Sequence, residues 1–243
     1  MHTGRPTDSN IAGANRAGAP SRRMRIGFCL RLLASCALLT AGFAPVAGAA
    51  YMVAAAHADF SGAPVSADAR QVADWVVGSG DNRGLPFMIV DKANATMFLF
   101  APGGALLGNA PVLLGLARGD DSPPGIGDRP LAMISPAERI TPAGRFEASL
   151  GRNLAGQDIL WVDYAAAISV HRATDVKPGL AAANRLARLA SPTPADNRIS
   201  HGCINVSVSV FERMIRPAFS GTSGIVYVLP ETRPIGADFP AAA

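Results

Sequence analysis

Between Arg198 and Ser207 the chain reads RISHGCINVS, so a hydroxyl, an imidazole, a glycine, a thiol and a carboxamide fall within Ser200–Asn205. A thiol is a weak nucleophile until deprotonated. Covalent catalysis by Cys203 therefore needs a base within reach, a group that orients the base, and N–H donors for the oxyanion. Beyond residue 58 the candidate bases are His171 and His201. His201 lies two positions from Cys203, and in an extended segment the two side chains share a side. It can serve as the base, line the oxyanion pocket or support the sulfur. Gly202, between them, lets backbone approach a substrate closely and leaves its N–H unobstructed. His171 ends the strand-like run AAAISVH, from which a rigid strand can aim an imidazole at a neighbouring loop. Zinc is the competing use of these side chains. His171, His201 and Cys203 fall one ligand short of a closed tetrahedral set, and Asp175 and Asp196 have no ligand-like spacing, so no metal is expected.

The elements that must position these groups are mostly β. From Leu85 onward, short apolar runs alternate with turn residues: PFMIVD, TMFLFA, NAPVLLGL, RFEAS, DILWVDY, AAAISVH and GIVYVLP. Ahead of them, SADARQVADWVVGSGD reads as one helix capped by Ser66, with Val72, Trp75 and Val76 at helical spacing. After the cysteine, SVSVFERMIRPAF reads as a short helix, with Ser209 and Glu212 spaced as a capping box and Pro217 as its stop. The cysteine thus lies on the approach to a helix, a place that favours an anion within the first turn. Two long inserts interrupt the strands: residues 117–144, and residues 172–198 with a helix expected at about Leu180 to Leu189. Loops of that length in a compact domain build lids or sites, so both are expected to wall a groove at the thiol. Trp161 and Tyr164, on DILWVDY, are candidates for lining that groove.

At this point SHGCINVS resembles the signature of L,D-transpeptidase catalytic domains, the YkuD family. The matching positions are His171 upstream, then Ser200, His201, Gly202, Cys203, Ile204 and Asn205. Two further stretches are similar: Thr141-Pro142-Ala143-Gly144-Arg145-Phe146 to the family's turn and strand, and PFMIVDKANATMFLF to its opening hairpin. The resemblance covers about Leu85 to Pro230. It implies an L,D-transpeptidase-like β-sandwich with short helices and long loops around the active site. It also implies Cys203 as nucleophile, His171 as base, and oxyanion or support roles for His201, Gly202, Ser200 and Asn205. The implied substrates are peptidoglycan stem peptides, a donor tetrapeptide and an acceptor amine, joined as 3–3 cross-links without metal or organic cofactor. A hydrolase using the same site and a silent wall-binding module are the rival readings. The chain departs from the family in two places. Between His171 and His201 stand 29 residues, a longer spacer than usual, and Arg172 follows the histidine where many members have a small or hydroxyl residue.

Composition bears on where such a protein works. The 243-residue chain carries a formal charge of +4, but residues 1–58 hold six arginines against one acid. The remaining residues carry 16 basic and 17 acidic groups, a net charge of −1 that gives no electrostatic footprint for nucleic acid. From Met24 a basic start, a long apolar run and small-residue sites have the layout of an export signal. Leu32 to Ala56 is long enough to anchor the chain in a membrane if uncleaved. The expected organisation is an export or anchor region (1–58), a short helix and linker (59–84), a catalytic domain (85–230) and a tail (231–243), placing the protein in the periplasm or cell envelope. Cys29 and Cys36 lie in the leader, so a processed chain keeps only Cys203. A lone thiol is either buried and inert or kept for its reactivity, and its neighbours here favour the second.

Overall fold

A computed structural model describes residues 56–174 and 184–243. Nearly all of the export region, and the first part of the helix expected at Leu180–Leu189, lie outside the described residues.

The runs that read as unbrokenly apolar become strands buried on both faces: β1 (Phe87–Asp91), β2 (Thr96–Phe100) and, late in the chain, β10 (Ser223–Val228). Strand alternation sends Met88, Val90, Leu99 and Val226 to one core. It sends Phe87, Ile89, Phe100 and Tyr227 to a second core on the opposite face. β1 and β10 pair in parallel, Phe87 beside Ile225, so distant parts of the sequence meet in mid-sheet. The remaining strands are β3 (Leu106–Pro111), β4 (Leu114–Gly115), β5 (Gly144–Arg152), β6 (Asp158–Asp163), β7 (Ile168–Arg172), β8 (Arg198–Ser200) and β9 (Ile204–Val206). Eight of them form one mixed sheet in the order β3-β2-β1-β10-β5-β6-β7-β9. Leu113, just beyond β3, bridges to Asn205 in β9, so the ends of the sheet meet and it curls nearly into a barrel. The mostly β expectation holds.

NAPVLLGL does not form one strand. β3 ends at Pro111, and β4 leaves the large sheet to pair in parallel with β8, the strand that leads into the Ser200–Cys203 turn. Helix α1 (Ala67–Ser79) starts as expected: Ser66 Oγ accepts from the Ala69 N–H at 3.1 Å and donates to Asp91 at 2.7 Å. It buries Ala69, Val72, Ala73 and Val76 in the second core, where each valine contributes about 1.5–3 kcal/mol. Phe239 packs in the same core, so residues on both sides of 85–230 share it. Of the helix expected in the second insert, α2 (Arg185–Leu189) is described.

The helix after the cysteine differs from expectation at both ends. Its first segment, α3 (Val208–Val210), is capped by Ser207, whose Oγ accepts from the Val210 N–H at 3.2 Å. Ser209 lies inside it, and the Glu212 carboxylate is taken by Arg172 and Arg216 rather than by a capping box. Phe211–Ile215 continues as a π-helix and Arg216–Phe219 as α4. Pro217 lies inside this continuous run, which goes on to Phe219, so it does not stop the helix where it stands.

Candidate active site

β7 builds one half of the site. Ser169 and His171 are two apart on it and face the same side. Trp161 of β6 is the cross-strand neighbour of Ser169, and Asn205 of β9 is that of His171. Hydroxyl, imidazole, indole and carboxamide are thereby gathered beside the thiol by register. Cys203 is half-buried; its Sγ lies 3.7 Å from Ser169 Oγ and donates to the Ala167 carbonyl at 3.6 Å.

The tautomer of His171 follows from its partners. Nδ1 stands 3.1 Å from the Arg172 carbonyl, which can only accept, so Nδ1 carries the proton. Arg185, which can only donate, bonds Asn205 Oδ1, so the Asn205 Nδ2 group faces His171 Nε2, at 3.1 Å. Nε2 is therefore the basic nitrogen. Burial pushes the Cys203 thiol up, but the His171 imidazole nearby, with the Ser169 backbone and hydroxyl, outweighs it and brings the pKa below its ordinary value. The helix plays little part, since its cap at Ser207 lies four residues past the sulfur. His201 behaves differently. Burial, with the Arg139 and Arg185 charges nearby, pushes its pKa down, so its ring is neutral near pH 7.

The turn that carries the thiol is tied from inside. Gly202 has φ +128°, and a Cβ there would stand 2.7 Å from the Ile140 carbonyl oxygen. Thr141 Oγ1 donates to the Gly202 carbonyl at 2.8 Å and accepts from the Gly115 N–H at 2.8 Å. Ser200 Oγ donates to the Cys203 carbonyl at 2.6 Å and accepts from the Gly202 N–H at 3.0 Å. That last bond corrects an expectation: the Gly202 N–H is occupied by Ser200. The His201 and Cys203 N–H groups have no acceptor among the described hydrogen bonds and are the donors available to an oxyanion.

Cavities open on both sides of the sulfur. One, of 380 Å³, is lined by Trp161, Ser169, His171, Arg172, Arg185 and Cys203, and has the volume of a small-molecule pocket. The other, of 60 Å³, lies between His201, Cys203 and the first insert's Ile126, Leu131 and Ile134. Its Arg129 pairs with Glu138 at 2.9 Å, and with Ser135 pulls that carboxyl down to about 2. Each insert thus contributes a wall, as expected. Tyr164 does not line either cavity; it is 66% exposed and stacks on Trp161 with centroids 4.7 Å apart. Among the described residues no cluster of three or more His, Cys, Asp or Glu side chains is placed to hold a metal ion.

Ser169, Thr141 as a clamp on the turn, and Arg185 were not singled out from sequence. Ser169 was within reach, because Ser-x-His on a strand puts both side chains on one face. Arg185 had no local signal.

No protein-family model and no curated protein matches the chain. Solved structures do. An L,D-transpeptidase from Enterococcus faecium is 20% identical, with 59% of this chain aligned to 49% of that one at a TM-score of 0.33. One from Mycobacterium smegmatis is 16% identical, covering 59% and 58% at 0.33. The helical cell shape determining protein Pgp2 from Campylobacter jejuni is 14% identical, covering 65% and 52% at 0.40. The chain spans about half the length of these structures, and the functional reading rests on the residues of its own site.

Proposed function

We propose that this chain is a cysteine-dependent L,D-transpeptidase that acts on peptidoglycan stem peptides outside the cytoplasmic membrane. The observation that carries the reading is that Cys203 and His171 line one cavity, with His171 Nδ1 protonated toward the Arg172 carbonyl and Nε2 left unprotonated. The three ordered motifs in the sequence support the substrate class, and the leader supports export.

His171 Nε2 gives up its bond from Asn205 and takes the thiol proton as the sulfur attacks the carbonyl of the donor's third residue. The oxyanion that forms is received by the His201 and Cys203 N–H groups. Collapse breaks the peptide bond, and the His171 imidazolium returns the proton to the departing D-alanine amine. The thioester then meets the side-chain amine of a second stem, His171 accepts the amine proton, and the thiolate leaves.

Product analysis of the purified protein with a tetrapeptide-bearing muropeptide tests this. Release of D-alanine with a 3–3 linked dimer is expected. Tripeptide without dimer would convert the reading to a hydrolase on the same site, and an unchanged muropeptide would overturn it. Fractionation showing the mature domain in the cytosol would remove the export part.

A further inference from the structure

We propose that Arg172 is a positioning residue for the base: its side chain is clamped so that its own backbone carbonyl stays on His171 Nδ1. That carbonyl is the acceptor that sets the tautomer, and it belongs to the last residue of β7. One flank of this strand end is held by β9, through Arg172 beside Val206 and the Ala173 N–H to the Val206 carbonyl at 2.7 Å. The other flank lacks that support, because the pairing of β6 with β7 stops at Leu160–Val170.

The Arg172 side chain stands in for the missing ladder. Its Nη1 donates to the Asp158 carbonyl of β6 at 2.7 Å, its Nε to Glu212 Oε1 at 2.7 Å, and its Nη2 to the same oxygen. The guanidinium lies 4.1 Å from the centre of the Phe211 ring. Glu212 and Phe211 both belong to the π-helical turn, a distortion that recurs at functional sites, and Arg216 holds the second Glu212 oxygen at 3.0 Å. Arg172 also lines the larger cavity, yet all three of its guanidinium nitrogens already have protein acceptors. Its role is therefore geometric. The ion pair is partly exposed, with side chains 21% and 31% accessible, and such pairs contribute little to folding, so its loss should register in the base before it registers in the fold.

The inference rests on the Cys203–His171 pairing but not on any peptide substrate. Arg172→Met and Glu212→Gln, each in the full chain, are compared with the parent by the pH profile of Cys203 alkylation with iodoacetamide, a neutral probe. The ring tautomer of His171 is read in parallel from long-range proton–nitrogen NMR correlations. Expected are a midpoint raised by about one unit, alkylation at pH 7 slowed about five- to ten-fold, and a mixture of tautomers in place of one. Arg172→Lys, which can keep a single bond to Glu212, should fall between. Unchanged profiles and a single tautomer in folded variants would overturn the proposal. So would a raised KM for donor peptide with an unaltered alkylation profile, which would make Arg172 a substrate contact. Should Arg172→Met fail to fold, Glu212→Gln carries the test, because it leaves the guanidinium on Phe211 and Asp158. A shifted alkylation profile without transpeptidation would leave this inference standing and remove only the proposed substrate.

Discussion

The Cys203 thiol and its proposed base, His171, are held in different ways. The turn carrying Cys203 is fastened to a buried ionic cluster. Lys92 Nζ donates to the Thr141 carbonyl at 2.9 Å, to Gly119 O at 2.6 Å and to Asp120 at 2.8 Å, with Glu231 at 3.8 Å. Arg198, on the strand that enters the turn, bonds Glu231 at 2.5 Å and the Lys92 carbonyl at 2.9 Å. The Lys92 and Glu231 side chains are fully buried. His171, by contrast, is held at a strand end by the Arg172 carbonyl and the Asn205 carboxamide, steadied by a partly exposed ion pair. The fold and the proposed nucleophile share one foundation, whereas the proposed base can be disturbed separately.

That contrast orders the expected effects of substitution. His171→Ala should depress the acylation step by about 10²–10⁴-fold while leaving the melting temperature nearly unchanged, which single-turnover kinetics and calorimetry would show. A comparable loss of folding stability would mean that the base is as deeply fastened as the turn. Lys92→Met takes the cation from the buried Asp120 and leaves the Gly119 and Thr141 carbonyls without their donor, and should cost about 3–5 kcal/mol, read by denaturant titration. A loss below about 1 kcal/mol would show that the cluster is not what secures the turn.

Thr141→Val removes the hydroxyl between Gly115 and Gly202 and should cost about 1–3 kcal/mol, with slower alkylation of Cys203. Asp120 gives an effect that depends on pH. Burial pushes its pKa up, but hydrogen bonds from Lys92, Thr232 and the Glu231 and Thr232 N–H groups hold it well below the ordinary range. A depressed folded pKa stabilises above the unfolded value of about 3.9, and that stability is lost as pH falls toward the folded one. Asp120→Asn should therefore flatten the acid limb of the stability curve below about pH 4.

Much of this was legible in the sequence where the signal is local. PFMIVD, TMFLF and GIVYV announce strands, and HGC with a strand-end histidine announces a thiol and an imidazole that the structure brings to one cavity. Asn205 was legible as support, although only the β7–β9 register shows that it meets Nε2. Signals that compete at short range misled. Ser209 and Glu212 have the spacing of a capping box, yet Ser207 caps the helix and Glu212 pairs with Arg172, 40 residues away in sequence. The Gly202 N–H looked free because nothing local says that Ser200 Oγ, two residues back, folds over it. The parallel pairing of β1 with β10 and the Thr141–Gly202 bond join distant segments and leave no periodic trace.

The most direct measurement is the intact mass of the protein after exposure to a donor tetrapeptide or a carbapenem-type acylating agent, with peptide mapping of the adduct. A mass increase of one acyl group, located on Cys203, formed slowly in His171→Ala and absent in Cys203→Ala, is the expected result. An adduct on another residue, or full turnover by Cys203→Ala, would contradict the assignment of Cys203 and His171 as the reacting pair.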